Sequence, residues 1–286
     1  MVGSFDKKWD RKLDMKGVVM KNVLAVIGLP LLVGFTLRAG ILTHEFKVEE
    51  FGNINTTDKD IVVFIHGIYG KLDDLSYIKG KMEEKGYAGI SIQYPTTKED
   101  IQGMVEKYIN PEIERKSIEA QLKKLEQVNE RRLNEGKSKL KMNFVVHSLG
   151  SVVLRHKLKE SKIDELGKVV FISPPSHGSS IADNVLSEAL SPILGKAVRQ
   201  IKVNENSFVN QLGEPDYDCY VIIGNKTNNP LYSLMIKGKD DGMVPIETAR
   251  LKNCRFKVID GKTHTSILKS DEVVKEILEY FSDDRK

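Results

Sequence analysis

The stretch Asn143-Phe-Val-Val-His147-Ser148-Leu149-Gly150 carries an apolar run straight into a serine and out again into a helical pattern. A strand that turns sharply through a serine into a helix lifts the hydroxyl above a sheet, where it can attack a carbonyl. A serine hydroxyl is a weak nucleophile at neutral pH, so a base must take its proton. Of the six histidines, His264 in Gly261-Lys-Thr-His264 alone lies after the last apolar strand pattern and before the last helical one. A carboxylate must then hold that imidazole in the right tautomer. Lys239-Asp240-Asp241-Gly242-Met243-Val244-Pro245 offers two neighbours for that role, and the D-x-x-V-P spacing favours Asp241, with Val and Pro bracing the loop under its carboxylate. Donors for the developing oxyanion come cheaply from backbone amides. Leu149, after the serine, supplies one, and Ile68 supplies the other from Ile61-Val-Val-Phe-Ile-His66-Gly67-Ile68-Tyr69-Gly70, an apolar run ending in a glycine-bearing loop. Acyl transfer through an acyl-serine is the chemistry these residues fit, with no metal and no organic cofactor.

These side chains need elements that bring them to one place. After Gly40, short apolar runs rich in β-branched residues alternate with amphipathic stretches. Strands are expected at Glu45–Val48, Ile61–Ile65, Ala88–Gln93, Asn143–His147, Lys168–Ile172, Cys219–Gly224 and Cys254–Ile259. Helices are expected at Leu72–Lys85, Ile113–Asn134, Leu149–Lys159 and Asp271–Phe281. That alternation predicts an α/β fold with a mostly parallel central sheet and helices on both faces. Ile181–Leu212 lacks a strand pattern and has an apolar face, so it is the place for a cap or lid. Cys219 and Cys254 lack metal-ligand spacing and are read as buried reduced thiols.

On four pieces the chain resembles the α/β-hydrolase superfamily, in its lipase-like branch that includes glycosylphosphatidylinositol-deacylase-like hydrolases. They are Phe64–Gly70, the serine turn Val146–Gly150, Asp241-Gly-Met-Val-Pro, and His264-Thr. The chain order Ser148, Asp241, His264 is that of the superfamily's triads. A fifth piece, Ile172-Ser-Pro174-Pro175-Ser-His177-Gly178-Ser179, is similar to a loop that borders the acyl pocket in such enzymes. The resemblance covers Ile61 to the C-terminus and implies cleavage of carboxylic esters, often of lipids. It adds His66, Gly67, Tyr69, His147, Pro175 and His177 as expected substrate-pocket residues. The chain departs from the pattern at Val146, where a glycine is usual, and at Ser151, where a second glycine often follows.

At the scale of the whole chain, 286 residues with 40% hydrophobic and 29% charged content suit one α/β domain. A net charge of +4 is too small to argue for nucleic acid. Residues 1–40 differ in composition from the rest. Lys7, Lys8, Arg11, Lys12, Lys16 and Lys21 outnumber Asp6, Asp10 and Asp14, and from Val18 to Leu37 the only polar side chains are Lys21, Asn22 and Thr36. This reads as an apolar helix serving as membrane anchor or export signal, with residues 41–286 as the catalytic domain and 181–212 as its possible lid. Membrane association or export is therefore expected; without such an anchor the protein would be cytoplasmic. The expected partner is an acyl ester or lipid substrate. A thioesterase or acyltransferase would use the same residues, a non-catalytic binding protein would need the fold alone, and a peptidase ranks last.

Overall fold

In the computed structural model, residues 45–110, 117–179, 182, 195–228, 236 and 238–283 are described. They belong to a compact unit spanning Thr43–Lys286. The expected N-terminal helix lies outside these residues, as do 181 and 183–194 of the expected lid. No described helix is long and apolar enough to cross a membrane.

Seven strands form one sheet: β1 Lys47–Phe51, β2 Ile61–Ile65, β3 Gly89–Gln93, β4 Met142–His147, β5 Leu166–Ile172, β6 Cys219–Gly224 and β7 Arg255–Ile259, in the order β1-β3-β2-β4-β5-β6-β7. Only β1 runs antiparallel, against β3. The central strands are runs such as Ile-Val-Val-Phe-Ile, wholly buried because both sheet faces are covered. Side-chain alternation splits them between two cores. Ile61, Val63, Ile65, Phe144, Val146 and Phe171 face one layer, while Val62, Phe64, Val145, Val170 and Ile172 face the other.

Helices α1 Ser76–Glu83 and, near the C-terminus, α7 Asp271–Ser282 cover the second face through Ile78, Met82, Val273 and Ile277. The first face takes α2 Ile101–Met104, which continues as a π-helical turn to Ile109, α3 Ile118–Asn134, and α4 Leu149–Glu160. Two further short helices, α5 Phe208–Gln211 and α6 Ile246–Ala249, lie in the connections around β6. Ser117 opens α3 by accepting the Ala120 amide at 3.2 Å, a side-chain cap that fixes where the helix begins. The helix expected from Ile113 is thus described from Ile118 onward. Helix α2 has no counterpart among the expected elements; its glycine and short length hide it.

The chain leaves β2 toward β3 on one side, then returns to β4 on the other. The connections after β2 and β4 part at that point, which is where sites form in open α/β sheets. One expectation is corrected outright. Cys219 and Cys254 are joined in a disulfide with Cα atoms 4.7 Å apart, not held as free thiols. Their spacing along the chain gives no sign of it; the side-by-side placement of β6 and β7 brings them together.

Candidate active site

Ser148 sits between β4 and α4 with φ 51° and ψ −123°, a conformation that L residues rarely adopt. The strain persists because the turn is held on both sides. The Ser148 amide donates to Ile172 O at 3.0 Å, and the Ser151 hydroxyl donates to Ser148 O at 2.5 Å. Ser151, the residue standing in place of a second glycine, thus ties down the turn. Val146 needs no special room, since it pairs in register with Ile65 and Phe171 and is buried in the first core. Gly150 does need its bareness: a Cβ there would lie 2.6 Å from His66 O and 2.8 Å from Ile65 O. The helix start therefore passes directly over the end of β2.

Loops after β6 and β7 bring in the other two side chains. His264 Nε2 lies 2.9 Å from Ser148 Oγ, and His264 Nδ1 lies 2.9 Å from Asp241 Oδ2. A carboxylate only accepts, so Nδ1 carries the proton and bare Nε2 accepts from the serine. Asp241 Oδ1 accepts the amides of Met243 at 3.0 Å and Val244 at 2.9 Å, so the D-x-x-V turn braces the carboxylate as its spacing implies. Asp240 instead accepts the Gly242 amide at 2.7 Å, inside its own turn. Burial alone would raise the Asp241 carboxyl, which is fully enclosed. The charge of His264, its hydrogen bond, the Ser173 hydroxyl and the Val244 amide outweigh that and hold it below the ordinary carboxylate range. Ser173, just past β5, is buried and has φ 50°. It lies within the Ile172–Ser179 piece, whose sequence does not assign it to the aspartate.

The loop after β2 runs alongside the serine. A Cβ on Gly67 would stand 2.8 Å from Ser148 Cβ, so only glycine permits this approach. Among the described residues, neither the Ile68 nor the Leu149 amide is taken up by a hydrogen bond. Backbone amides left open in this way are suited to receiving negative charge. The loop is anchored from β3: the Tyr94 amide donates to His66 Nε2 at 3.2 Å, the Tyr94 hydroxyl donates to His66 O at 3.0 Å, and the two rings stack at 4.6 Å. The Tyr69 amide donates to Thr96 Oγ1 at 2.9 Å, with Tyr69 at φ 55°. Tyr94 and Thr96 lie just beyond β3, where no motif points to them.

Several expected pocket residues are hydrogen-bonded to, or packed within, the surrounding loops. His66 is buried, with Nδ1 donating to Gly67 O at 2.7 Å. His147 is buried too, its Nε2 3.0 Å from His264 O. His177 turns its ring toward Asn210 Oδ1 at 2.9 Å and Glu214 Oε1 at 3.6 Å. Pro175 lies buried in a loop pinned by Arg155, whose guanidinium donates to Ser176 O at 2.8 Å and Gly213 O at 2.7 Å. That loop reaches the aspartate turn through Ser179 Oγ, which donates to Met243 O at 2.7 Å. A groove of about 520 Å³ at the far end of α4, lined by His156, Phe208 and Leu212 among others, shares no residue with this site. Groups able to hold a metal ion are absent among the described residues.

Residues 55–176, from the turn before β2 through the serine turn to the loop after β5, match a family described as "Putative serine esterase (DUF676)". No curated protein matches the chain in sequence. The mature form of the Bacillus licheniformis lipase BlEst2 superposes with a TM-score of 0.57 at 19% identity, over 83% of this chain and 98% of that one. Phospholipase PlaB from Legionella pneumophila superposes with a TM-score of 0.59 at 14% identity, over 80% of this chain and 60% of that one. The chain thus spans nearly all of the mature lipase but less than two thirds of PlaB. At these identities the likeness is one of fold.

Proposed function

We propose that the chain, which shares the fold of α/β-hydrolase lipases, is a serine ester hydrolase of the lipase or esterase type, acting on carboxylic esters of lipids. The observation that carries this reading is the unbroken line from Asp241 Oδ2 through His264 to Ser148 Oγ, two contacts of 2.9 Å each. In the proposed reaction, His264 Nε2 takes the Ser148 proton as the serine oxygen bonds to the acyl carbon. The carbonyl oxygen becomes an oxyanion facing the Ile68 and Leu149 amides. His264 then returns the proton to the leaving alkoxide, which departs as alcohol. Water, deprotonated by His264, attacks the acyl-serine, and collapse releases the carboxylic acid with Ser148 reprotonated. Asp241 stays ionised throughout and stabilises the imidazolium.

A lipid substrate is supported by the lipase and phospholipase among the fold relatives and by the apolar, basic-flanked segment at residues 18–37. That segment would hold the site near a bilayer. The Cys219–Cys254 disulfide supports an exported catalytic unit, because such bonds persist in oxidising compartments. The test is labelling with a fluorophosphonate alongside hydrolysis of p-nitrophenyl esters of rising chain length, with and without phospholipid vesicles. Wild type should label and turn over, and Ser148→Ala should do neither. Equal labelling of the two proteins would overturn the assignment, and a strict preference for the shortest esters would remove the lipid from it.

A further inference from the structure

The base of a serine hydrolase must be held in place as firmly as the nucleophile, and its side-chain bonds do not accomplish that alone. His264 stands on the loop between β7 and α7, whose backbone is free to shift unless something grips it. Two contacts do. The His264 amide donates to Asp241 O at 2.7 Å, and the His264 carbonyl lies 3.0 Å from Nε2 of His147. A carbonyl can only accept, so His147 carries its proton on Nε2 and leaves Nδ1 bare. Its ring lies 4.8 Å from the His264 ring, at 48° to it.

We infer that His147 is a positioning residue which clamps the backbone of the base to the strand that delivers the nucleophile. The inference rests on the hydrolase reading above and deepens it. His147 and Ser148 are consecutive, so one rigid strand end sets both the attacking oxygen and, through the clamp, the height of the imidazole above it. The His264 peptide is then gripped at its amide by the acid's own backbone and at its carbonyl by the nucleophile's neighbour. Burial suits the ring to this role, because it disfavours the charged form and keeps a neutral, singly protonated donor in place. A second positive ring beside His264 would also oppose the imidazolium that forms during reaction.

Glutamine can place an amide donor close to where His147 Nε2 stands, whereas asparagine carries its amide near the Nδ1 position and falls short of the His264 carbonyl. The experiment is a comparison of His147→Gln, His147→Asn and His147→Phe in the full chain, with p-nitrophenyl butyrate. His147→Asn and His147→Phe should lose roughly 10- to 100-fold in kcat with KM nearly unchanged, the scale expected when a reacting group is misplaced by about 1 Å. His147→Gln should recover most of that loss. Should the phenylalanine variant fail to fold, the two amide variants decide between them. Equal activity of folded His147→Gln and His147→Asn, whether near wild type or equally impaired, would overturn the clamp. A further readout needs no turnover: the low-field proton resonance of the His264 Nδ1–H bonded to Asp241. It should persist in His147→Gln and broaden or vanish in His147→Asn; an unchanged resonance in both rejects the clamp. Absent fluorophosphonate labelling of wild type would reject the hydrolase reading separately.

Discussion

Three histidines crowd around Ser148, and their hydrogen bonds fix two tautomers, the proton on Nδ1 in His264 and His66 and on Nε2 in His147. His264 presents a bare Nε2 to the serine, His66 donates from Nδ1 to its own loop, and His147 donates from Nε2. Burial pushes His147 down to about 3, helped by the neighbouring His264 and His66 rings and opposed by Asp241 and the bond to His264 O. The sign of the consequence follows from linkage. The native ring refuses a proton that the unfolded ring accepts near 6.5, so between those values the unfolded state binds more protons and acid favours unfolding. This one group should remove up to about 1.4 kcal/mol of stability per pH unit through that window. Replacing it with glutamine removes the titration. Urea unfolding of His147→Gln and wild type from about pH 7 to pH 4 should give a flatter stability profile for the variant. Parallel profiles would mean that the ring accepts its proton in the native state.

The elements explain why the residues that do chemistry are legible in the sequence and those that hold them are not. Ser148, Asp241 and His264 each follow the carboxyl end of a strand, and a β-branched run ending in a turn is a local signal that a sequence carries openly. Tyr94 and Arg155 act on partners far along the chain, set by sheet order, and no local spacing encodes them, whereas Ser151 acts within its own turn. His147 is visible in the serine motif but reads as a substrate residue, because a motif gives position and not the direction a ring faces. The two close-approach glycines separate activity from stability. Gly67 lies on a loop, so Gly67→Ala can be accommodated by moving the loop away from Ser148, which withdraws the Ile68 amide. A loss of about 10²-fold in kcat with little change in melting temperature is expected. Gly150 faces the β2 backbone, which cannot yield. Gly150→Ala should destabilise by about 1–3 kcal/mol or more. Thermal melts with ester kinetics on both variants check this; the reverse assignment of effects would refute it.

At the scale of the molecule, the parts of the site follow β2, β4, β6 and β7, which the sheet holds in one contiguous run with β5, so anything that fixes strand pairing protects the chemistry. The Cys219–Cys254 bond does so for β6 and β7, the strands whose following loops carry Asp241 and His264. It joins the amino ends of these strands, whereas the site lies at their carboxyl ends, so it constrains the pair without touching the reacting groups. Closing a loop over a sequence separation of 35 residues should contribute about 3–4 kcal/mol through the unfolded chain. For a domain of this size that corresponds to a fall of roughly 6–16 °C in melting temperature when the bond is lost. The Cys219→Ser/Cys254→Ser double variant should therefore melt well below wild type while hydrolysing p-nitrophenyl butyrate at a near-normal rate at about 20 °C. Wild type treated with a reductant should fall to the same melting temperature, and the double variant should not respond to it. A melting temperature unmoved by reductant would mean that the two sulfurs are not joined in the folded protein, and the argument for an oxidising compartment would fall with it.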